Sequence, residues 1–424
     1  MPASETSKSV VVGVATQDYH SSRASYTQST AFYEQLLTEW AATPTVSFDE
    51  IDDEMDGDIS PTAVPVRLGI STPVRAAGRL RSNNIVRLMK AAGFAVTTTS
   101  NSPVTGAYRH VLVPVATDAL FPWSTFLVHM GGASILKRII ADTRLSGLTL
   151  SGEKNAVARF ESNGIAGHEE VAVGTETTTA DTSPVLRTVE GSFTIYNQTY
   201  STTLNGAITG GAGTTITVTS TTGFPTSGSI RIAAEGANAE ETIAYTGKTS
   251  TTFTGLTPTN PANSHATGTA VYNPATSLIG TARNFSVVTA NEFSSGDDNF
   301  VIGNHEFDWQ TWLSMMVTGQ VDTVFDKTTW ESIFYGGASA AGSAYSFTAM
   351  TGNLDLTVKS ATMVTGSTPY SMRIEIPHLT IMQPDDVRAS GRSELRMVLP
   401  FRAYVASSLP LIRVTFVNGT TTYA

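Results

Sequence analysis

A chain of 424 residues with 26 Lys and Arg against 36 Asp and Glu carries a formal net charge of −10, which excludes a broad basic grip on a nucleic-acid backbone. Charged residues make up 15%, below the roughly 25% usual in globular proteins; Thr, Ser, Ala and 35 Gly take their place, the texture of a turn-rich β protein whose surface suits an assembly. The absence of cysteine excludes disulfides and thiolate metal centres, and the length predicts two or three domains.

The opening MPASETSKSVVVGVATQ lacks a basic segment followed by an apolar one, so no secretory signal is expected. No run reaches the length of a membrane span, and a soluble protein folded in a cytoplasm is the expectation. Residues 1–60 read as an N-terminal arm and acidic loop, irregular apart from a short helix expected at 29–37. The arm ends in Asp49, Glu50, Asp52, Asp53, Glu54, Asp56 and Asp58. Asp52, Glu54, Asp56 and Gly57 imitate the start of an EF-hand loop, but the twelfth position is Ala63, where a bidentate Glu is required. A solvated acidic loop is the first reading and a weak divalent site the second.

A first β unit is expected over 61–199. It opens with a basic stretch: Arg67, Arg75, Arg79, Arg81, Arg87 and Lys90. Ile85, Leu88, Met89 and Ala92 recur there at helical spacing, with Ser82 or Asn83 as N-cap and Gly93 past the end. Strand-like runs follow at Val111–Val113, Phe126–Val128 and Gly147–Leu150. Residues 200–275 change texture to Thr, Gly, Ala and Ser, with short alternating strands at Thr215–Thr219, Ser229–Ala233 and Glu241–Thr246 between Gly and Pro turns. They read as a small inserted β domain. Its flanks, Gly191–Tyr196 and Asn284–Val288, are expected to be neighbours in one sheet.

Residues 276–424 read as a second β unit. Leu354, Leu356 and Val358 alternate with polar residues, as do Met372, Ile374 and Ile376, and then Leu395 and Met397. Thr328-Thr329-Trp330-Glu331 is a capping box, with Trp330, Ile333 and Phe334 on one helix face. The two units can be laid on each other: residues 73–93 match 315–337 as strand, Gly, strand, capped helix, Gly, and SGLTLSGEKN matches PHLTIMQPDD. Gly78 lies 70 residues before Leu148, and Gly319 lies 60 before Leu379, a difference one loop can absorb. An internal duplication is expected.

Within the second unit, Gly303-Asn304-His305-Glu306 resembles a metal-binding block of dinuclear metallophosphoesterases, in which Asn and His hold metals that activate water. Asp18-Tyr19-His20 fits the D-x-H block of that family. Gly296-Asp297-Asp298-Asn299-Phe300 fails its GDxxD block, and His378 alone follows His305, so no GHxH block exists. The ligand count fails. The histidines are His20, His110, His129, His168, His265, His305 and His378; none forms H-E-x-x-H, and neither a nucleophile elbow nor a phosphate loop is present. Glu169 and Glu170 after His168 point to opposite faces if they lie on a strand. No catalytic, cofactor or metal site is expected.

Several stretches together resemble the bacteriophage tail tube protein, the major tail protein of long-tailed phages. They are the acidic loop at 49–58, the strand with VRAAGRL, the helix NNIVRLMKAAGF, the HVLVPVATDALFPWSTFLVHM stretch, RLSGLTLSGEKNAVARFESNGIAGHEE, and the Thr-rich insert. The resemblance lies in order and texture. It implies a mainly β fold with two related tail-tube-type β-sandwich or barrel units, short flanking helices and a small inserted β domain. It further implies a virion protein assembled in the host cytoplasm, whose copies form rings stacked into a tube that conducts DNA without specific binding. With two units per chain, a ring of three chains is favoured over six. Implied partners are other copies, the tape measure, tail terminator and distal tail proteins, and no membrane. Asp52, Asp53, Glu54 and Asp56 are candidate inter-subunit contacts, with Arg75, Arg79, Arg81 and Arg87 as their counterparts. A β-rich adhesin or fibre is the alternative, and a metal-dependent hydrolase the more distant one.

Overall fold

In the computed structural model, residues 10–17, 20–21, 29–49, 66–100, 105–130, 136–172, 175–196, 201–233, 240–273, 277–279, 282–294, 310–335, 350–382, 395–405 and 409–423 are described. The protein is mainly β, with two short α-helices among those residues. Alternation drives it. Arg396–Ala403 buries Met397, Leu399, Phe401 and Ala403 and turns the residues between them outward, the period of two that leaves one strand face on a core.

The first repeat comprises β1 (Val11–Gln17), β2 (Ala31–Gln35), β3 (Leu37–Ala42), β4 (Thr45–Asp49), β5 (Val66–Arg79), α1 (Ile85–Ala91), the hairpin β6 (Phe94–Ser100) and β7 (Tyr108–Pro114), β8 (Trp123–Met130), β9 (Leu136–Glu153) and β10 (Arg159–Val171), with short β11 (Thr177–Thr179) beside β2. The second begins at β12 (Arg187–Tyr196). The insert follows with β13 (Ser201–Thr203), β14 (Thr215–Thr217), β15 (Gly228–Ile232), β16 (Glu241–Tyr245), β17 (Gly247–Lys248), β18 (Thr252–Thr254) and β19 (Ala270–Tyr272). Then come β20 (Ser277–Ile279), β21 (Ala282–Phe293), β22 (Trp312–Val324), α2 (Lys327–Tyr335), β23 (Thr351–Thr365), β24 (Thr368–Ile381), β25 (Arg396–Ala403) and β26 (Arg413–Asn418).

The two repeats share one topology. Antiparallel neighbours in the first run β3, β5, β10, β9, β8, β1, β2. In the second they run β21, β22, β25, β24, β23, β12, β20. Each strand sits where its counterpart in chain order sits, and each helix follows the same strand. Register agrees as well. One row crosses Leu37, Gly78, Phe160 and Leu150; its counterpart crosses Val287, Gly319, Phe401 and Ile381. A Phe ring covers the glycine in both rows: a Cβ would lie 3.0 Å from the Phe160 ring at Gly78 and 2.4 Å from the Phe401 ring at Gly319. Close approach of a neighbour is a recurrent reason for glycine inside a strand.

The repeats differ where they join. In the second, β23 extends along β24 as far as Thr351 beside Thr380. In the first, the chain ahead of β8 turns off at Asp118–Leu120, a single 3-10 turn. The edge of β9 thus left open, Gly147–Glu153, is taken by Asn284–Ala290 of β21. A second ladder pairs β26 with β7. One apolar core runs through both repeats, from Val12, Phe94 and Phe160 to Ile374, Phe401 and Phe416. Helix α1 buries Ile85, Val86, Leu88 and Met89 in it, each worth about 1.5–3 kcal/mol before entropy costs.

The insert occupies the link between β12 and β20, which corresponds to the link between β1 and β2 in the first repeat. Its sheets, β13-β19-β15-β16 and β14-β18-β17, close on a core of their own around Ile216, Ile230, Ile243, Tyr245 and Phe253.

Four expectations need correction. The helix expected at 29–37 is β2 and β3, with Phe32 and Gln35 buried at strand positions; β1, β5 and β11 supply backbone partners that outweigh a weak helical pattern. Residues 1–60 are not simply an arm, because β1 to β4 belong to the first repeat. The second repeat begins before the insert, at β12, rather than at 276. Finally, the insert's flanks are not sheet neighbours: β12 pairs with β20 and β23, while β21 pairs with β22 and β9. Helix α1 starts after Asn84 without a side-chain cap bond, and Gly93 follows it at φ 87°. Asp326, one turn before Trp330, caps α2 through the Thr329 N–H and hydroxyl.

Candidate functional site

The seam between the repeats is where polar chemistry concentrates. Arg144 on β9 is buried, its guanidinium 3.9 Å from the Trp123 ring centre. It donates to Asp118 at 2.7 Å, to Phe121 O at 3.1 Å and to Gln310 O. Burial pulls the Arg144 pKa down and Asp118 partly restores it. Asp118 also accepts the Trp312 N–H at 2.8 Å, which fixes the start of β22. On β21, Asn291 donates to Ala92 O at 3.0 Å and Leu145 O at 2.9 Å, and accepts the Trp312 Nε1–H at 3.1 Å. At the other ladder, Asn418 meets the His110 ring at 2.9 Å and donates to Ser82 O and to the Tyr423 hydroxyl. Tyr423 donates to Asn83 O at 2.7 Å, and burial pushes its pKa up to about 12. Buried polar groups paired across the seam in this way favour a single geometry. The seam is a fused joint.

The basic candidates meet different fates. Arg87 is buried on α1 with its guanidinium 3.3 Å from the Tyr33 ring centre, and burial lowers its pKa against the pull of Tyr33 and Tyr423. It belongs to the core. Arg75 is half exposed and bridges Glu39 at 3.0 Å and Glu161 at 3.1 Å across β3, β5 and β10. Arg81 donates to Ser183 O. Arg79 is exposed at the end of β5. Arg79 and Arg81 line a cavity of about 530 Å³ together with Val10, Glu34, Leu36 and Leu37. The acidic candidates Asp52, Asp53, Glu54 and Asp56 lie outside the described residues, as do the EF-hand-like run and Gly303–Asp308. The ends of the acidic segment are placed, since Asp49 of β4 pairs with Val66 of β5.

Among the described residues, the histidines do not gather into one centre. His20 lies 3.5 Å from Asp142, His265 is 3.0 Å from Glu241, and His168 is 3.7 Å from Glu170. His110 is held between Thr98 and Asn418, and His378 meets Ser201 at 3.2 Å. Glu169 turns to the opposite face of β10, as strand geometry requires, and pairs with Arg138 at 2.6 Å. One carboxylate group, Glu240, Asp355 and Glu375, has the spacing of metal ligands. Arg373 stands among all three, 2.5 Å from Glu240, 2.5 Å from Asp355 and 3.3 Å from Glu375. Burial lowers the Arg373 pKa, but those carboxylates outweigh it and the net shift is upward. A guanidinium does the work of an ion here. With Arg231 of β15, 3.4 Å from Asp355, this cluster ties the insert to β23 and β24. Ala233, Ala270 and Tyr272 of the insert pack on Leu409 beside it.

No protein-family model matches the chain, and no curated protein matches it in sequence. No helix among the described residues is long and apolar enough to cross a membrane. Sequence reasoning did not find the clamps of Arg144, Asn291 and Asn418. Their partners are backbone carbonyls up to 336 positions away, and no local pattern encodes such pairs.

Proposed function

We propose that the chain is a structural protein that assembles with its own copies into rings stacked as a hollow tube, of the kind found in bacteriophage tails. The observation that carries this reading is the duplicated sheet whose ladder continues from β9 into β21. Two like units joined edge to edge are one step of a cyclic array, and repetition of the step by further chains closes a ring. Each chain contributes two units, so three chains give the spacing that six single units would give. The fused seam supports the reading, because a wall needs units that do not hinge. A net charge of −10 suits a bore through which DNA slides, since fixed cations would anchor phosphates by counterion release. Tape measure, terminator and distal tail proteins are then the natural partners at the tube's ends, and the virion tail its location.

Negative-stain microscopy and native mass spectrometry of the purified protein test this. Rings or tubes with three chains per ring are expected. Six chains per ring would remove the role given to the duplication, and a lumen lined by Arg and Lys would remove the sliding bore. A monomer that binds cell surfaces would favour the adhesin alternative.

A further inference from the structure

The first repeat holds a buried group of Gln, Thr and Asp that its counterpart does not repeat. Gln17 at the end of β1 and Thr125 on β8 lie on adjacent strands, 4% and 0% exposed. The Thr125 hydroxyl donates to Gln17 Oε1 at 2.9 Å, and the Asp142 N–H donates to the same oxygen at 3.1 Å. The Asp142 carboxylate, 1% exposed, accepts from Gln17 Nε2 and from Ser21, and His20 stands 3.5 Å from its second oxygen. Asp142 adopts φ 53°, uncommon for a residue with a side chain, and this backbone turns both its N–H and its carboxylate toward the one amide. In the second repeat the register places Thr194, Thr357 and Arg373 at the corresponding positions, so the hydroxyl recurs but neither the glutamine nor the aspartate does. The shared fold therefore does not require this glutamine and aspartate.

A water-excluded nucleophile, an amide carbonyl with a backbone donor on its oxygen, and a carboxylate on its nitrogen are the parts of an acyl transfer. We propose that Thr125 and Gln17 form an intramolecular ester that staples β1 to β8. Thr125 Oγ attacks Gln17 Cδ, and the carbonyl electrons move onto Oε1, where the Asp142 N–H holds them. The hydroxyl proton moves along its hydrogen bond to Oε1 as the Oγ–Cδ bond forms, and the Asp142 carboxylate relays it from there to Nε2 as the Cδ–Nε2 bond breaks. Ammonia leaves, an Oγ–Cδ ester remains, and no oxidant or co-reactant is needed. Hydroxyl and amide oxygen are already in contact, so a small rotation reaches the near-attack separation of about 3–3.5 Å. The staple is independent of the ring reading; it would let the first strand bear shear in any assembly.

Intact-mass measurement of the denatured full-length protein decides it. The expected mass is lower than the sequence mass by one ammonia, about 17 Da. Trypsin should release residues 9–23 joined to residues 110–137, and hydroxylamine should split the pair. Thr125→Ser should remain joined, while Thr125→Val and Gln17→Met give the two peptides separately at full mass. Wild-type protein at its sequence mass with separate peptides overturns the proposal, whether or not the variants fold, and so does a joined pair that resists hydroxylamine.

Discussion

Gly78 and Gly319 are equivalent positions in two copies of one unit, yet their surroundings are unequally tight. An added Cβ at Gly78 stands 3.0 Å from Leu36 O and from the Phe160 ring, whereas at Gly319 it stands 2.4 Å from both Ser286 O and the Phe401 ring. A ring can tilt, but a backbone oxygen in a ladder cannot. Gly319→Ala is expected to cost about 2–3 kcal/mol and Gly78→Ala about 1 kcal/mol or less, read as shifts in the urea midpoint; equal costs would show that the two rows are not packed as described. The glycines were legible from their place in strand-like text. The phenylalanines above them, 82 positions on in each copy, were not, because the pairing passes through long-range register. His110 supplies a second test. It is fully buried against Asn418, and burial lowers its pKa, so the folded protein resists a proton that the unfolded chain accepts. Stability is full above the ordinary value of about 6.5 and falls as pH drops below it, by up to about 1.4 kcal/mol per pH unit for one excluded proton. Melting curves between pH 7.5 and 5 should show that loss. In His110→Gln the loss should be shallower on a lower starting stability, and an unchanged slope would exonerate His110.

At the scale of elements, what could be read in the text depended on whether the pattern was local. Helix α1, the strands around Phe126, Leu148 and Ile374, and the insert's short strands all announce themselves by period and by turn residues. The segment 29–37 does not, since a few residues with mixed spacing take their state from β1, β5 and β11. Sheet neighbours were least legible: the insert's flanks are strands, but β23 and β9 claim them. The insert's separability rests on better ground. Ser201 pairs with Tyr272, so its ends are adjacent, and its core is its own; such domains tolerate removal. Replacing residues 203–270 with a short Gly/Ser turn should leave the two repeats folded, because Arg373 keeps Asp355 and Glu375 after Glu240 is lost. The proposed tubes, where the protein forms them, should be thinner by microscopy. Failure of both folding and ring formation would make the insert part of the wall.

At the scale of the whole molecule, the described residues that flank the acidic segment and its proposed basic partners, Arg79 and Arg81, stand at opposite ends of one strand. The segment 50–65 leaves β4 at Asp49 and returns to β5 at Val66, two paired residues. Its apex can therefore extend at most about 27 Å, half its residues at about 3.4 Å each. Arg79 lies 13 residues along β5 from Val66, about 43 Å away at strand rise. A chain whose β5 runs straight does not bring its acidic segment to its own Arg79 and Arg81. A second copy can, and the contact is then head to tail: one surface meets a different surface, which stacks units without limit rather than closing a pair. Arg87 drops out of this contact because it is buried, and Arg75 is occupied by Glu39 and Glu161. Complementary charge steers approach and sets register more than it adds affinity, and its reach shrinks to about 8 Å at physiological salt. Neutralising Asp52, Asp53 and Glu54 together, or Arg79 and Arg81 together, should therefore slow tube growth several-fold at low salt and flatten its salt dependence, while leaving single rings intact. Combining the two sets should add little, because each removes the same contact. Light-scattering kinetics across a salt series measure this, and growth that is unchanged at every salt concentration would separate the acidic segment from assembly altogether.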